Sequence, residues 1–428
     1  MAMCNEDRIS SFPDHILCHI LSFLPIKEAV RTSIISTKWR CLFSSISTIE
    51  FDHCLLSGLT DRNVDSFKNF VDRLLKFPDQ VSLDCFRLTD GISSWNDEDH
   101  DFDVSGCICA ALCRGVKEID LQLDNLGDAP PVLFTCHSLV KLTFTNTLEG
   151  KGSKLEVPPD VCLGNLKTLW LEHWVLFGDS INRLISNCHV LEDLAFTDCS
   201  VANTSELTIQ SPSLKQLILD FFSEDVGGFN YVLVINAPNL VYFRYYSKIV
   251  NGYTLSNMDS LENADIRIDA FDFEGDETRI CNVRSLTFFL STLYKNSRFS
   301  CAQIPPTSPF PMFDNLIEFN FYGRETWLVE FLYCAPNLKT LKFSFSGVAG
   351  ARWNINVPSC LSFRLKKIEI SDYVIDMIEI VRYLLDNSMV LEELIIRMKA
   401  INATPGIKAC NQLLPLLKSS KKCQIVIL

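Results

Sequence analysis

Three cysteines between residues 107 and 113 form the first group in the sequence with the chemistry of a metal site. Cys107, Cys109 and Cys113 follow a C-x-C-x-x-x-C spacing. A structural zinc site needs four ligands, and its cysteines usually come in C-x-x-C pairs. This segment has neither such a pair nor a fourth ligand close by. We therefore interpret these thiols as packing residues and predict no metal site.

Carboxylates are concentrated in one short run from Asp97 to Asp103, which reads DEDHDFD. Carboxylate oxygens suit calcium, but a calcium loop also needs a glycine turn and a terminal glutamate, and both are missing here. We interpret the run as a solvated, mobile insertion.

Motifs of the well-known enzyme classes are absent. The sequence contains no glycine-rich phosphate loop, no G-x-S-x-G elbow and no H-E-x-x-H helix. A thiol nucleophile formed from one of the 18 cysteines and one of the 7 histidines is the enzymatic alternative. We predict that the protein has no catalytic residues and no cofactor.

The length and composition indicate a folded protein. The 428 residues are enough for about three ordinary domains. With 47% hydrophobic residues and only 17 Gly and 17 Pro, the chain is neither collagen-like nor disordered. The first eight residues are polar and no run of about 18 apolar residues occurs, so we expect no signal peptide and no membrane span. We expect an intracellular protein of the nucleus, the cytoplasm or both, with reduced cysteines.

Acidic residues outnumber basic ones, 52 to 39, which gives a net charge of −13. This balance argues against a nucleic-acid partner, because phosphate binding depends on clustered Lys and Arg. Residues 46–356 carry 24 basic and 41 acidic side chains, so the excess of acidic charge lies in this middle segment. We expect basic protein partners on or near it.

A short helical segment opens the chain. Between Phe12 and Pro25, apolar residues recur at helical spacing and predict a helix of about eleven residues. Pro13 suits its first turn and Pro25 is expected to end it. Two further short helices are predicted before residue 45. Such a small unit cannot bury its own apolar faces, so these faces either pack on the following domain or bind another protein.

Three motifs in this segment favour the second alternative: Phe12-Pro13-Asp14, Ile20-Leu21-Ser22-Phe23-Leu24-Pro25 and Ser36-Thr37-Lys38-Trp39-Arg40. In this order they resemble an F-box, which we place at residues 8–45. Phe12 stands where the family usually has Leu. The resemblance implies binding to the Skp linker protein and, through it, to the cullin and RING subunits of a ubiquitin ligase. The residues expected at or supporting the Skp interface are Pro13, Ile16, Leu17, Ile20, Leu21, Leu24, Pro25, Val30 and Trp39.

A repeating pattern fills the middle of the chain. Apolar residues recur at positions 1, 4 and 6 of a six-residue unit in eleven copies, from Leu83-Phe86-Leu88 to Leu338-Leu341-Phe343. The copies are 21 to 33 residues apart, mostly within the period range of leucine-rich repeats. Each copy predicts a strand followed by a helical or irregular return, and neighbouring copies must stack to bury their leucines. The pattern therefore predicts an α/β solenoid with a parallel sheet over residues 46–356.

Strand alternation turns the side chains between the buried positions outward, where a partner could bind. Exposed aromatic and Arg side chains are common interface anchors, although a single one on a strand is more often simply solvated. The candidate partner-binding residues are Trp170, Glu172, Asp220, Arg244, Tyr246, Asp265, Arg267, Asn320, Tyr322 and Lys342.

Residues 357–428 continue the pattern in two further copies, Leu365-Ile368-Ile370 and Leu391-Leu394-Ile396. Between them, the stretch from Tyr373 to Asn387 predicts an amphipathic helix. The last ten residues predict a terminal strand that covers the open edge of the sheet. Ordered features such as Tyr383-Leu384-Leu385-Asp386-Asn387 resemble the FBD domain, which follows the repeats of plant F-box proteins. We expect an α/β cap here.

Together these features predict the substrate-recognition adaptor of a Skp–cullin–F-box ubiquitin ligase, with no catalysis of its own. The alternatives are a non-degradative scaffold that uses the same repeat face, a small-molecule receptor and an enzyme, in that order. We expect neither a membrane nor a nucleic-acid partner. The identity of the protein substrate does not follow from the sequence.

Overall fold

In the computed structural model, strand follows strand along most of the described chain, and helices occupy only some of the returns between them. The structure describes residues 9–36, 38–39, 42, 46–51, 69, 82–89, 104–123, 130–146, 153–221, 229–247, 250–268, 280–290, 311–347, 357–398 and 423–428. The chain divides into two compact units, residues 1–207 and 208–428. The acidic run Asp97–Asp103 and the predicted helix from Ala409 to Leu417 lie outside the described residues.

Two short helices open the first unit. Helix α1 spans Asp14–Leu21 and helix α2 spans Ile26–Arg31, followed by a 3-10 turn at Thr32–Ile34. Each helix begins directly after a proline, Pro13 or Pro25, because proline lacks the N–H that the first turn leaves unpaired. The predicted length of about eleven residues is wrong, since α1 has eight. Pro25 does not end α1; it precedes α2.

The first unit continues with parallel strands in two rows. The strands are β1 (Thr48–Phe51), β2 (Cys85–Leu88), β3 (Glu118–Leu123), β4 (Lys141–Asn146), β5 (Ser153–Leu155), β6 (Thr168–Glu172), β7 (Trp174–Phe177) and β8 (Asp193–Ala202). The main row runs β1-β2-β3-β4-β6-β8, and β5-β7-β8 form a second, shorter row. Helices α3 (Val104–Cys113) and α4 (Gly178–Ser186) and a 3-10 turn at Pro131–Thr135 belong to the returns. Strand β9 (Glu206–Gln210) crosses the boundary between the units.

The second unit has the same architecture. Its strands are β10 (Gln216–Phe221), β11 (Phe229–Asn236), β12 (Tyr242–Ser247), β13 (Val250–Ser256), β14 (Asn263–Ile268), β15 (Ser285–Leu290), β16 (Glu318–Arg324), β17 (Thr340–Gly347), β18 (Lys367–Tyr373), β19 (Glu393–Met398) and β20 (Gln424–Ile427). The main row runs β10-β12-β14-β15-β16-β17-β18-β19-β20, all parallel, and β11 pairs with β13 separately. Its helices are α5 (Glu325–Cys334), α6 (Ser359–Phe363) and α7 (Ile378–Asn387).

The repeat prediction is confirmed. In all thirteen copies the apolar residues at positions 1, 4 and 6 are buried, and positions 4 and 6 lie on a strand. Neighbouring copies pair in register, so that Leu169 lies opposite Leu194 and Phe321 opposite Phe343. Stacking of identical positions buries each leucine against the next repeat. One copy was missed at the start of the array, Ile46-Ile49-Phe51 on β1.

Returning helices close the core on the other side of the strands. In the second unit, Phe331 of α5 lies 4.8 Å from Phe319, 5.3 Å from Phe288 and 5.6 Å from Phe313, measured between ring centroids. Phe331 is 2% exposed. Aromatic rings at these distances add stacking and edge contacts to the large apolar area that they bury.

Several returns differ from the predicted helical or irregular form, because short strands such as β7 and β13 follow the main strands. At the junction the backbone bends through positive φ at His173 (60°), Asp198 (49°) and Asp372 (53°). Each of these residues lies two positions after the last buried residue of its copy. Short polar side chains tolerate this left-handed conformation better than branched ones. The bend at Asp372 also corrects the predicted helix from Tyr373, since Tyr373 belongs to β18 and α7 begins at Ile378.

The terminal strand is confirmed as β20, which pairs with β19 at the edge of the sheet. Within the described ranges, no helix combines the length and apolar composition that crossing a bilayer requires.

Candidate protein-interaction surfaces

Helix α1 carries two apolar stripes. Leu17 and Leu21, one turn apart, are fully buried. Ile16 and Ile20, also one turn apart, are 37% and 39% exposed. The two stripes lie about 100° apart around the helix, so packing within the protein covers one and leaves the other in water. Exposed isoleucines at this spacing are typical of a helix that binds a partner.

The loops and turns next to α1 add further exposed apolar side chains. Of the nine predicted Skp-binding residues, Pro13, Ile16, Ile20, Leu24 and Pro25 are exposed, Val30 is half-buried, and Leu17, Leu21 and Trp39 are buried. Exposed apolar residues that were not predicted include Phe12, Phe23, Ile34 and Ile35. In the sequence, these residues are indicated by their positions: Phe12 and Phe23 flank α1, and Ile34 and Ile35 follow α2. We call the exposed residues Phe12, Ile16, Ile20, Phe23, Leu24, Ile34 and Ile35 the head surface.

Trp39 is turned away from solvent and contacts the segment just before α1. Its Nε1–H donates a hydrogen bond to the Ser10 hydroxyl at 2.8 Å, and its side chain is 4% exposed. The ammonium group of Lys38 donates to the backbone carbonyls of Ser10 and Phe12 and lies 3.4 Å from an Asp14 oxygen. Lys38 and Trp39 thereby fix the entry into α1, so Trp39 supports the head surface from beneath.

The outward faces of the main strands form the second candidate surface. None of the ten predicted partner-binding residues is buried, as strand alternation requires. In the first unit, Trp170 is 38% exposed and its Nε1–H donates to the Thr197 hydroxyl at 2.9 Å. Glu172 accepts a hydrogen bond from the Thr145 hydroxyl at 3.0 Å. The other eight residues lie in the second unit.

Four side chains of the second unit form a row across adjacent strands. Tyr246 of β12, Arg267 of β14, Phe289 of β15 and Tyr322 of β16 are successive register partners. The guanidinium carbon of Arg267 lies 4.7 Å from the ring centroid of Tyr246 and 4.3 Å from that of Phe289. The rings of Phe289 and Tyr322 are 5.9 Å apart. We call these four residues the Arg267 row. Phe289 was not predicted as a partner-binding residue, because it directly follows the buried Phe288. Strand alternation nevertheless places it on the outward face.

Beside the row, charges are paired in small networks. Asp265 lies 3.3 Å from Nε of Arg244 and accepts a hydrogen bond from the Tyr246 hydroxyl at 2.9 Å. Burial, followed by this hydrogen bond to Asp265, raises the pKa of Tyr246 to about 12, so its hydroxyl stays protonated. Glu369 contacts Lys342 at 3.2 Å and Arg397 at 2.7 Å. The hydrogen bond from Arg397 is the main reason that the pKa of Glu369 is lowered.

Comparisons with known proteins match this chain to one family. The F-box family model matches residues 9–49. A model described as the LRR repeats of the FBD-associated F-box protein At5g56370 matches residues 108–262, and the FBD model matches residues 354–396. The F-box/LRR-repeat protein At4g14103 of Arabidopsis thaliana is 33% identical over 371 residues, which cover 79% of this chain and 92% of the relative. The chain belongs to the plant F-box/leucine-rich-repeat family.

Two further Arabidopsis thaliana relatives of this F-box/LRR protein cover nearly all of it. The F-box/FBD/LRR-repeat relative At3g59240 is 30% identical and covers 99% of this chain and 90% of its own length. The F-box/LRR-repeat relative At3g49150 is 34% identical over 91% of this chain, which spans 66% of that relative. The head surface lies within the F-box match, and α7 with its two flanking strands lies largely within the FBD match. The predicted resemblance to F-box, repeat and FBD proteins is confirmed.

The described cysteines of the F-box/LRR protein differ in burial. Cys188 and Cys334, just before their strands, are buried. Cys113 and Cys162 are exposed, so the interpretation of Cys113 as a packing residue is wrong. Cys107 and Cys109 lie two residues apart on α3, so they point to different sides of that helix. This arrangement disfavours a zinc cluster of Cys107, Cys109 and Cys113.

In the described part of this F-box/LRR protein, three residues of types that can bind a metal ion lie close together. Glu172, His173 and Asp198 place one ligand atom each within 4.8 Å of one another at the bend after β6. Such a mixed N and O donor set suits a divalent cation. Glu172 and His173 are half-buried and Asp198 is exposed. The cluster was missed because Asp198 is 25 residues away in sequence and is brought there by the register of β6 and β8.

Proposed function

We propose that this F-box/LRR protein is the substrate-recognition adaptor of a Skp–cullin–F-box ubiquitin ligase. Its head surface binds the Skp linker protein, which connects it to the cullin and RING subunits. The outward faces of its strands bind a target protein. The single observation that carries the proposal is the exposed apolar stripe of Ile16 and Ile20 within the segment that matches the F-box model.

The head surface exposes large apolar side chains to water, which is unfavourable. Ile34 is 85% exposed and Phe23 is 74% exposed. Fully burying an apolar side chain of this size stabilises by about 1.5–3 kcal/mol, so a partner that covers several of them gains substantial binding energy. The buried residues Leu17, Leu21 and Trp39 then act from within: they hold α1 at the angle that presents the exposed stripe.

The proposed adaptor accelerates ubiquitin transfer by proximity and performs no covalent chemistry itself. Binding of both Skp and a target in one complex raises the effective concentration of target lysines near a charged ubiquitin-conjugating enzyme. In this proposal the ligase components carry the catalytic groups, and the adaptor needs no cofactor. The proposal places the protein in the nucleus, the cytoplasm or both.

Co-purification of the full chain with Skp and cullin tests the proposal. Ile20→Asp places a charge on the exposed stripe and is expected to abolish Skp association without unfolding the chain. Leu21→Asp does not discriminate, because it unfolds the head whether or not Skp binds there. Absence of Skp from the wild-type complex, or its undiminished presence with Ile20→Asp, would overturn the proposal.

A second measurement separates the adaptor from a non-degradative scaffold. The half-life of a bound partner is measured in cells that carry either the wild-type chain or Ile20→Asp. An adaptor predicts that the partner accumulates with the variant, because the target is still bound but no longer joined to the ligase. An unchanged half-life would favour the scaffold.

A further inference from the structure

Arg267 differs from three other cations on the outward face of the second unit. Arg244, Lys342 and Arg397 each lie within 3.3 Å of a carboxylate oxygen, on Asp265 or Glu369. Within the described residues, no carboxylate forms an ion pair with Arg267, whose contacts are the rings of Tyr246 and Phe289. Asp265 lies on the same strand and faces the same way, but it is engaged by Arg244 and the Tyr246 hydroxyl.

The geometry of the row decides which part of Arg267 is available. Tyr246 and Phe289 belong to the strands on either side of β14, so the two rings flank the guanidinium on opposite sides. Aromatic faces attract a guanidinium through their quadrupole and reduce its side-chain freedom. The N–H donors at the edge of the group remain directed to solvent, and Arg267 is exposed. A planar edge of donors is complementary to a carboxylate, which accepts two hydrogen bonds from it.

Side chains next to Arg267 could make apolar contacts with the residues that neighbour such a carboxylate in a bound peptide. The rings of Phe289 and Tyr322 continue the row by another strand. Successive strands are about 4.8 Å apart, so the row from Tyr246 to Tyr322 spans roughly 14 Å. An extended peptide that crosses the strands along the row could therefore place an acidic side chain on Arg267 and an apolar one on Phe289 and Tyr322. Aromatic and Arg side chains are also the residue types enriched at binding hot spots.

We propose that the Arg267 row is the docking site for an extended acidic segment of the target protein, with an Asp or Glu carboxylate on Arg267 and an apolar neighbour on Phe289 and Tyr322. The inference rests on the proposed target-binding role of the strand face. It departs from the expectation of basic partners, which followed from the −17 charge of residues 46–356. That charge acts over distances at which salt screens it, since the Debye length is about 8 Å at physiological ionic strength. The contact with Arg267 acts at hydrogen-bond distance.

Selection from a random 12-residue peptide display library on the full-length protein tests this proposal. Peptides that bind are then synthesised and measured by fluorescence anisotropy. We expect enrichment of Asp and Glu next to apolar residues. We also expect Arg267→Gln to weaken binding at least about tenfold, since a hydrogen-bonded charge pair is lost. Arg267→Lys keeps the charge but loses the planar edge, so it should bind with intermediate affinity.

Two controls keep the result interpretable. Arg382→Gln removes another exposed arginine, paired with Glu379 on α7, and should leave peptide binding unchanged. Thermal unfolding of Arg267→Gln should match the wild type because the side chain is exposed. Selected peptides without acidic enrichment, no selected peptides at all, or equal binding to Arg267→Gln would overturn the inference. Skp binding is measured on the same variants, so a failure of the proposed ligase role and a failure of the acidic-peptide inference are distinguished.

Discussion

Ile20 and Leu21 are neighbours in α1, yet Leu21 is fully buried whereas Ile20 is 39% exposed. Substitutions at the two positions should therefore have different effects. Leu21→Ala leaves a cavity and is expected to cost about 2–5 kcal/mol of stability in the head. Ile20→Ala should cost much less. Limited proteolysis of the full chain, read at cleavage sites within residues 9–36, checks the difference; equal protection of the two variants would contradict the assigned faces.

Phe331 should be one of the largest single contributors to the stability of the second unit. Three phenylalanine rings surround it within 5.6 Å, and it is 2% exposed. We expect Phe331→Ala to destabilise by about 3–5 kcal/mol in urea unfolding. Phe363→Ala is the matched control, since Phe363 is 74% exposed on α6 and should lose little. Comparable losses for both variants would show that Phe331 is not a core residue.

Cysteine reactivity should separate the buried thiols from the exposed ones. Burial raises the pKa of both Cys188 and Cys360 to about 12, so neither forms the reactive thiolate near neutral pH. Cys113 and Cys162 are exposed. Brief iodoacetamide treatment of the native protein, read by peptide mass spectrometry, should modify the exposed pair and spare Cys188 and Cys360. All four should react in denaturant, and equal native reactivity would refute the packing role.

Acidification should lower the stability of the protein, because it protonates the carboxylate of Glu369. Its pKa in the folded protein is lowered from 4.5, first by the hydrogen bond from Arg397. A carboxyl with a lowered folded pKa stabilises the protein above its unfolded pKa, and this contribution is lost as the pH falls through the folded value. Arg397→Leu should therefore destabilise at about pH 7 and have a smaller effect at about pH 3. An equal loss of unfolding free energy at both pH values would contradict this contribution of the ion pair.

The repeat array was predictable because its signal is repeated many times. Each copy has three buried apolar positions, and stacking requires apolar residues at the same positions in every copy. The missed first copy, Ile46-Ile49-Phe51, lies just after the predicted F-box boundary at residue 45. The short strands of the returns were missed because β7 and β13 have no recurring apolar spacing. The bend at Asp372 was missed because the apolar residues after it also fit a helical period.

The candidate site was predictable only in part. Both stripes of α1 are apolar in the sequence, and the choice between Ile20 and Leu21 as the exposed residue depends on which side packs on the rest of the head. Strand alternation correctly predicted that Arg267 and Tyr246 face outward. Their contact across β12 and β14 depends on the register of strands 21 residues apart, which the period alone did not specify. For the same reason the sequence did not associate His173 with Asp198.

The most direct test of the adaptor role is a quantitative binding measurement between the full chain and purified Skp. The proposal predicts that the wild type binds and that Ile20→Asp lowers the affinity at least about a hundredfold, because a charge replaces buried apolar contact. Phe363→Asp, which places the same charge on an exposed apolar residue of α6, should bind Skp like the wild type. If the wild type does not bind Skp, or if Ile20→Asp binds as well as Phe363→Asp, the head surface is not a Skp interface and the proposed function is wrong.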